Sequence, residues 1–353
     1  MTRRKMLSLA ASTPMWLTAS AMPQTPAPER ITEMGIASAA YGQRMRHDRS
    51  AQGEESLSDP LHFLEYCRQI GAGGMQIGLS SLDGGKVRRL RQQAEEYGMY
   101  VEASMRLPRG DSDLPRFQRE VQVARNAGVT VIRTAMLSGR RYETFDSAEA
   151  FRAFSTQSWN SLVSAEPILR RNRMKLAIEN HKDWRVEELL GMLKRISSES
   201  IGINVDFGNS ISLLEDPIEL AQAFAPYAYS THIKDMGVKE YEDGFLLSEV
   251  PFGEGYVDLA KIVQILRQAQ PGVRFNLEMI TRDPLQIPCL SEGYWATFGR
   301  LPGRDLARTL RTVRQKGSPD LPRVEQLSPE ERVRVEDANN RKCLAYARDH
   351  LAI

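Results

Sequence analysis

The chain of 353 residues has little cysteine and no region dominated by charge of one sign. Its three cysteines, Cys67, Cys289 and Cys343, lack CxxC spacing, so the sequence predicts neither a disulfide framework nor a thiolate zinc site. Lys and Arg total 47 against 45 for Asp and Glu, without a long run of either sign. Because a nucleic-acid surface needs clustered positive charge, we expect no nucleic-acid partner.

The sequence also lacks a hydrophobic run long enough to predict a stable membrane span. Its N-terminal apolar stretch, Leu7–Met22, is short and rich in Ser, Thr and Ala, and it follows the pair Arg3 and Arg4. A small-residue Ala-Ser-Ala pattern at 19–21 resembles a signal peptidase site. We therefore expect residues 1–29 to be a twin-arginine-type signal peptide and linker that directs export to the periplasm or cell envelope. The alternative is an ordinary basic N-terminus.

From Met34 onward, short apolar runs alternate with segments of helical periodicity, which is typical of parallel βαβ units. The predicted strands are 35–40, 74–79, 100–105, 130–136, 175–180, 202–206, 228–233 and 274–279. Eight such units predict an α/β protein with a (β/α)8 TIM barrel over 30–285 and a loop and helical C-terminal extension over 286–353. The open doubly wound sheet is the alternative, but no GxGxxG motif follows the first strand.

Four predicted strands in the second half of the chain end in a polar residue after an apolar run. These residues are Glu179, Asp206, His232 and Glu278. Side-chain alternation directs one such residue per strand toward the barrel axis at the carboxyl end, where the active sites of this fold lie. Three carboxylates gathered there would repel one another, so a cation is the natural compensator. Three oxygen donors and one imidazole suit one divalent metal ion, Mn²⁺, Co²⁺, Mg²⁺ or Zn²⁺.

The segments that carry these residues resemble a known superfamily. IENH, VDFGN, HIKD, PFGEGYVD and NLEM occur in this order and are similar to those of the xylose isomerase-like sugar isomerases and epimerases. The resemblance implies that Glu179, Asp206, His232 and Glu278 bind one divalent metal and that Glu179 and Glu278 are the catalytic acid/base residues. This chain differs from many members at one position: Asn209 stands where they place a histidine, so any substrate contact or additional metal bond made by that imidazole is lost.

The implied activity is proton abstraction next to a metal-bound carbonyl of a small-molecule sugar or keto-sugar. Enediolate stabilisation then leads to isomerisation or epimerisation. The same chemistry permits a lyase or hydratase that acts on a keto-glycoside. A non-catalytic sugar-binding protein is a third reading, which the presence of both Glu179 and Glu278 disfavours.

Substrate contacts are predicted from strand parity and loop position. His181 and Lys234 lie two residues beyond Glu179 and His232, so they should point toward the same barrel mouth. Glu254, in a glycine-flanked loop, and Trp184, a candidate stacking surface, are further substrate-binding candidates. Two arginines near strand ends, Arg106 and Arg133, can hold an anion, although an ion pair between Arg106 and Glu102 is the favoured alternative.

Association into a homo-oligomer is also possible for this class of barrel.

Overall fold

The computed structural model describes residues 32–50 and 56–353, so the predicted signal peptide and linker lie outside the described residues. The barrel strands are β1 Gly35–Ala37, β2 Gly74–Ile77, β3 Tyr100–Ser104, β4 Val131–Thr134, β5 Lys175–Glu179, β6 Ile201–Asp206, β7 Ala228–Ile233 and β10 Arg274–Leu277. These eight parallel strands close in the order β1-β10-β7-β6-β5-β4-β3-β2. The predicted (β/α)8 TIM barrel is therefore confirmed, with each strand within a few residues of its expected range.

Helices cover the outside of the barrel and form the C-terminal extension. They are α1 Gly42–Ser50, α2 Pro60–Gln69, α3 Gly84–Tyr97, α4 Leu114–Asn126, α5 Arg141–Thr144, α6 Ala148–Asn172, α7 Val186–Ile196, α8 Pro217–Phe224, α9 Leu259–Ala269, α10 Glu292–Trp295, α11 Gly303–Lys316 and α12 Pro329–Tyr346. Local sequence fixes their ends: the Asp83 carboxylate accepts the first free N–H groups of α3, and Gly98 ends that helix at φ 59°. Within the described ranges, no helix is both long and apolar enough to span a membrane.

Strand register brings the carboxyl ends of β5, β6, β7 and β10 together. Asp206 lies directly opposite His232, and Glu179 lies opposite Asn204, two residues before Asp206 on β6. The backbone N–H of Glu278, the first residue after β10, donates to the carbonyl of Ile233 at 3.0 Å. Because all four strands are parallel, their last inward-facing side chains meet at one end of the barrel.

A small antiparallel sheet extends beyond the end of β7, and the sequence patterns did not predict it. It consists of β8 Asp235–Tyr241, β9 Gly244–Val250 and β11 Leu285–Ile287, in the order β11-β9-β8. The Asp235 carboxylate accepts N–H groups from Gly253, Gly255 and Val257, so it fixes the loop that leaves β9. The hairpin therefore starts one residue after Lys234 and stands beside the barrel mouth.

The C-terminal helix α12 packs onto the start of the barrel. Ser328 caps it: the Ser328 hydroxyl accepts from the Glu331 N–H, and the Glu331 carboxylate accepts from the Ser328 N–H. The buried Glu336 carboxylate accepts the backbone N–H groups of Gln43 and Arg44, at 2.7 and 2.8 Å. These bonds join α12 to α1, so the extension and the barrel share one packed interface.

Candidate metal centre and active site

Glu179, Asp206, His232 and Glu278 form one buried cluster at the carboxyl end of the barrel. One ligand atom from each residue lies within 4.8 Å of the ligand atoms of the other three. His232 Nδ1 lies 3.5 Å from a Glu179 oxygen, 3.7 Å from an Asp206 oxygen and 3.4 Å from a Glu278 oxygen. The structure thus gathers the four side chains that the sequence pattern had singled out.

The tautomer of His232 follows from two hydrogen bonds in the barrel interior. Gln76 Nε2 donates to Glu102 Oε2 at 3.0 Å, which directs Gln76 Oε1 toward His232. His232 Nε2 lies 2.8 Å from that oxygen and therefore donates to it. The proton on Nε2 leaves a lone pair on Nδ1, which faces the three carboxylates and has no hydrogen-bond partner among the described residues.

This arrangement fits a divalent metal ion. A buried lone pair surrounded by carboxylate oxygens is unfavourable unless a cation or proton lies between them. Burial opposes protonation of His232, but the carboxylates of Glu278 and Glu179 raise its pKa well above the ordinary value. The raised pKa shows the demand for positive charge at this point, and three oxygen donors with one imidazole nitrogen can meet it by holding a metal.

Two basic side chains hold the outer faces of the cluster. Arg133 Nε donates to Glu179 Oε2 at 2.5 Å, and its Nη2 contacts the same oxygen. Lys234, which is fully buried, lies 2.7 Å from Asp206 Oδ2 and also contacts Glu278 Oε2. Burial would raise the pKa of both glutamates, but these cations and His232 lower the pKa of Glu179 and of Glu278 below the ordinary value. Both carboxylates are therefore ionised at neutral pH.

Asn209 supports the Asp206 carboxylate. Its Nδ2 donates to Asp206 Oδ2 at 2.7 Å and to the Asn180 carbonyl at 3.1 Å. Its Oδ1 accepts from the Lys182 ammonium. Burial, together with the charge of Lys234, lowers the pKa of Lys182 to about 8. An amide at this position thus joins Asp206 to a second lysine. A neutral imidazole, with a single N–H donor, could not also bond to the Asn180 carbonyl.

The four predicted substrate-binding residues occupy different environments. His181 faces a cavity at the barrel mouth, and its Nδ1 lies 3.1 Å from the Leu137 carbonyl, to which it can donate. Lys234 lies inside the cluster. Glu254 is exposed, and its carboxylate lies 3.5 Å from the Lys342 ammonium on α12. Trp184 is 2% exposed and stacks on Phe154, so it packs in the interior and presents no open face. The structure therefore brings His181 and Lys234 to the site but not Glu254 or Trp184.

The cavity beside Glu179 has a volume of about 700 Å³ and is named here the mouth cavity. It is lined by Leu79, Ser80, Ala103, Ser104, Met105, Arg106, Leu107, Arg109, Glu120, Arg133, Ala135, Met136, Leu137, Ser138, Phe154, Gln157, Ser158, Ser161 and His181. Arg133 borders both this cavity and Glu179, so its side chain lies between the cavity and the cluster. Its size and mixed polar and apolar lining suit a small polar ligand.

The expected ion pair between Arg106 and Glu102 is wrong. Glu102 faces the barrel interior, where it accepts from Gln76, Ser230 and Asn276, while Arg106 lies beyond the end of β3 and is exposed. Lys234 likewise points into the cluster, while the adjacent Asp235 binds loop N–H groups. Both inward-facing residues, Glu102 and Lys234, therefore have their partners on other strands.

Sequence reasoning missed Gln76 and underrated Arg133. Gln76 lies opposite Glu102 in the register of β2 and β3, and both are fully buried. The available signal was a polar residue inside each of two apolar strands, since such a residue needs a partner in the barrel interior.

Comparisons with known proteins agree with this geometry. A 3-oxo-isoapionate decarboxylase of Pectobacterium atrosepticum is 28% identical over 222 residues, 61% of this chain and 76% of the relative. The fold is similar to that of a xylose isomerase-like TIM barrel protein from Mycobacterium smegmatis in complex with magnesium, with a TM-score of 0.54, 17% identity and coverage of 78% and 97% of the two chains. A D-psicose 3-epimerase solved in the presence of D-fructose gives a TM-score of 0.60, 12% identity and coverage of 91% and 99%. The model of the xylose isomerase-like TIM barrel family matches residues 64–309, so this chain belongs to that family.

Proposed function

We propose that the protein is a divalent-metal-dependent isomerase or epimerase that moves a proton on a carbon next to a sugar carbonyl. The observation that carries the proposal is the unpartnered Nδ1 of His232, which faces the carboxylates of Glu179, Asp206 and Glu278. These four residues would hold the ion, and Mn²⁺, Co²⁺, Mg²⁺ and Zn²⁺ all accept such a donor set. Membership in the family and the similarity to a D-psicose 3-epimerase support the sugar substrate class.

A divalent ion held by these four residues would supply Lewis acidity, which would polarise a carbonyl and acidify the neighbouring C–H group. Glu179 and Glu278 would move the proton. Strands β6 and β7 separate β5 from β10, so the two carboxylates can flank a substrate from opposite sides. One glutamate accepts the proton at a carboxylate oxygen, and the other, after taking a proton from solvent, returns it to the opposite face, which inverts the carbon. Return by the first glutamate to the neighbouring carbon interconverts aldose and ketose. Arg133 and Lys234 keep both groups ionised before the reaction.

A lyase that acts on an oxidised sugar or keto-glycoside is the second candidate, and the contacts of the two glutamates favour it. Because Arg133 and Lys234 stabilise the carboxylate forms, both glutamates are weak bases. Loss of CO₂ from a 3-oxo acid needs no base: the C–C bond breaks, its electron pair passes to the carbon next to the carbonyl, and a proton is then added there. The relative in Pectobacterium atrosepticum is a decarboxylase, which supports this alternative.

Proton NMR in deuterium oxide tests both candidates on a panel of free sugars, 3-keto sugars and 3-oxo sugar acids. The isomerase predicts deuterium incorporation with epimer or ketose formation, whereas the lyase predicts CO₂ release or elimination. Glu278→Gln should slow the reaction by about 100-fold or more, because general acid–base catalysis contributes at least that much. Glu219→Gln, an exposed partner of Arg308, is the matched control. Unchanged deuterium exchange in Glu278→Gln, with metal still bound, would show that Glu278 is not the acid/base group.

We also propose that the protein is exported by way of Arg3 and Arg4, as its N-terminal sequence suggests. Replacing both arginines by lysine should leave the full-length precursor inside the cell, measured by fractionation and immunoblotting. Secretion at the wild-type level would contradict a twin-arginine route.

A further inference from the structure

We propose that Lys182 is a further catalytic residue, whose ammonium group binds the substrate oxygen on which negative charge develops during the reaction. This inference deepens the proposed function and rests on it, because both candidate reactions place negative charge on an oxygen next to the reacting carbon. Two independent features distinguish Lys182 from the other described residues. They are a buried charge without an ion-pair partner and a left-handed backbone conformation.

The first feature is the unpaired charge. In the part of the chain that the structure describes, the buried lysines and arginines are Arg141, Lys182, Arg185 and Lys234. Each of the other three contacts at least one carboxylate. Lys182 makes no ion pair among the described residues, and its ammonium donates to a neutral acceptor, Asn209 Oδ1. Because a buried cation without a counter-ion is unfavourable, its presence indicates a use for the charge.

The charged groups around Lys182 do not neutralise it. Burial lowers its pKa to about 8, and the charges of Lys234 and Arg282 act in the same direction, while Glu249 and Asp206 oppose them. The Glu249 carboxylate is already bound by Arg282, whose Nε lies 3.1 Å from Oε2. With a pKa of about 8, Lys182 is mostly protonated at pH 7. The group is therefore a cation whose neighbouring carboxylate has another partner.

The second feature is the backbone of Lys182, which has a φ of 61°. The other four described non-glycine residues with positive φ each end a helical segment. Lys182 instead lies in the loop after β5, where its carbonyl accepts the Arg141 N–H at 3.0 Å and the Asp183 carboxylate accepts two N–H groups of the same loop. A left-handed lysine is strained, and such strain is typical of side chains that the surrounding structure holds in a functional position.

Lys182 lies beside the candidate metal ligands without pairing with them. The Asn209 amide stands between: its Oδ1 accepts from the ammonium, and its Nδ2 donates to Asp206 Oδ2 at 2.7 Å. The preceding residue, His181, lines the mouth cavity. An ammonium group has three N–H donors, so Lys182 retains two that Asn209 does not use. These donors are available to a substrate oxygen next to Asp206.

Both candidate reactions create the charge that Lys182 lacks as a partner. In the isomerase, the proton passes to a glutamate carboxylate and the electron pair of the C–H bond moves toward the carbonyl oxygen. In the lyase, CO₂ leaves and the electron pair of the C–C bond moves the same way. Lys182 would donate an N–H to that oxygen. Because this ion pair strengthens as the charge develops, it stabilises the transition state more than the bound substrate.

Isothermal titration calorimetry with acetohydroxamate tests the inference on the full chain saturated with Mn²⁺. The probe carries an anionic pair of adjacent oxygens, as an enediolate does. Lys182→Gln removes the charge but keeps a donor for Asn209. We expect it to bind acetohydroxamate about tenfold or more weakly, which corresponds to one hydrogen bond to a charged group. Its affinity for Mn²⁺ should not fall, because the lost charge repels the ion. Lys194→Gln, at an exposed position on α7, should change neither affinity.

The outcomes separate a catalytic role from a structural one. Equal acetohydroxamate affinity in the wild type and in Lys182→Gln would overturn the proposal, as would a Mn²⁺-loaded wild type that does not bind the probe. A fall in Mn²⁺ affinity as large as the fall in probe affinity would show that Lys182 only positions Asp206 through Asn209. Lys182→Met provides the same comparison if the glutamine variant does not fold. A wild-type chain that binds no Mn²⁺ would refute the proposed function, and this inference with it.

Discussion

The two halves of the barrel contribute different kinds of residue to the same site. Strands β5, β6 and β7 and the end of β10 supply Glu179, Asp206, His232 and Glu278, the side chains that can bind a metal. Strands β2 and β4 supply Gln76 and Arg133, which contact His232 and Glu179, and β3 supplies Glu102, which contacts Gln76. The second half therefore carries the candidate ligands, while the first half sets their orientation and charge. The contrast predicts a graded response to mutation.

The largest effect is expected in the second half. Asp206→Asn removes the negative charge of one candidate metal ligand and keeps the size of the side chain. We expect the affinity for Mn²⁺ to fall by more than about 100-fold, since loss of a residue that only hydrogen-bonds to a metal ligand already costs about 10- to 100-fold. Calorimetric titration of metal-free protein measures the change. Asp320→Asn, at an exposed position, serves as the control, and an equal affinity in the two variants would remove Asp206 from the metal site.

An intermediate effect is expected at Gln76 in the first half. Gln76→Leu removes the acceptor of the His232 Nε2 proton, so the ring loses both its fixed orientation and its fixed tautomer. The affinity for Mn²⁺ should fall by about 10- to 100-fold, with no change in the exposed control Gln69→Leu. Imidazole ¹⁵N shifts of the Zn²⁺-loaded protein, in which Nδ1 would bind the ion, give a second readout, which should show loss of the hydrogen bond made by Nε2–H. An unaltered ring spectrum together with unaltered affinity would contradict the positioning role.

The smallest effect is expected one step farther from the cluster. Glu102 reaches His232 only through Gln76, and a glutamine at position 102 can still accept a hydrogen bond from Gln76. Glu102→Gln should therefore lower the affinity for Mn²⁺ by less than about tenfold, because loss of a residue that contacts a metal ligand directly typically costs about 10- to 100-fold. A loss larger than that of Gln76→Leu would reverse the order and show that Glu102 acts on the site by another route.

The two halves of the barrel also differ in how much of their part of the site could be predicted from the sequence. Glu179 was found because it ends an apolar run, and the predicted strand 175–180 matches β5 Lys175–Glu179. Charged residues at strand ends produce a visible pattern, and the parallel barrel brings such ends together. The fold and the four clustered residues were therefore accessible without coordinates.

The contacts that orient the candidate metal ligands produce no such pattern in the sequence. Gln76 and His232 are 156 residues apart, and a neutral amide within a strand does not indicate its partner. The pairing of Glu102 with Arg106 was wrong because nearness in sequence suggested it, whereas strand direction sends one side chain inward and leaves the other exposed. The hairpin of β8 and β9 was missed because Gly237, Lys239 and Glu240 interrupt the apolar alternation typical of a strand.

The most direct test of the central claim is an anomalous-scattering map from crystals of the Mn²⁺-loaded protein. The account predicts a single strong peak per chain, in contact with oxygens of Glu179, Asp206 and Glu278 and with Nδ1 of His232. A peak bound through His232 Nε2, a cluster of three ions, or a map without density at this position would contradict it.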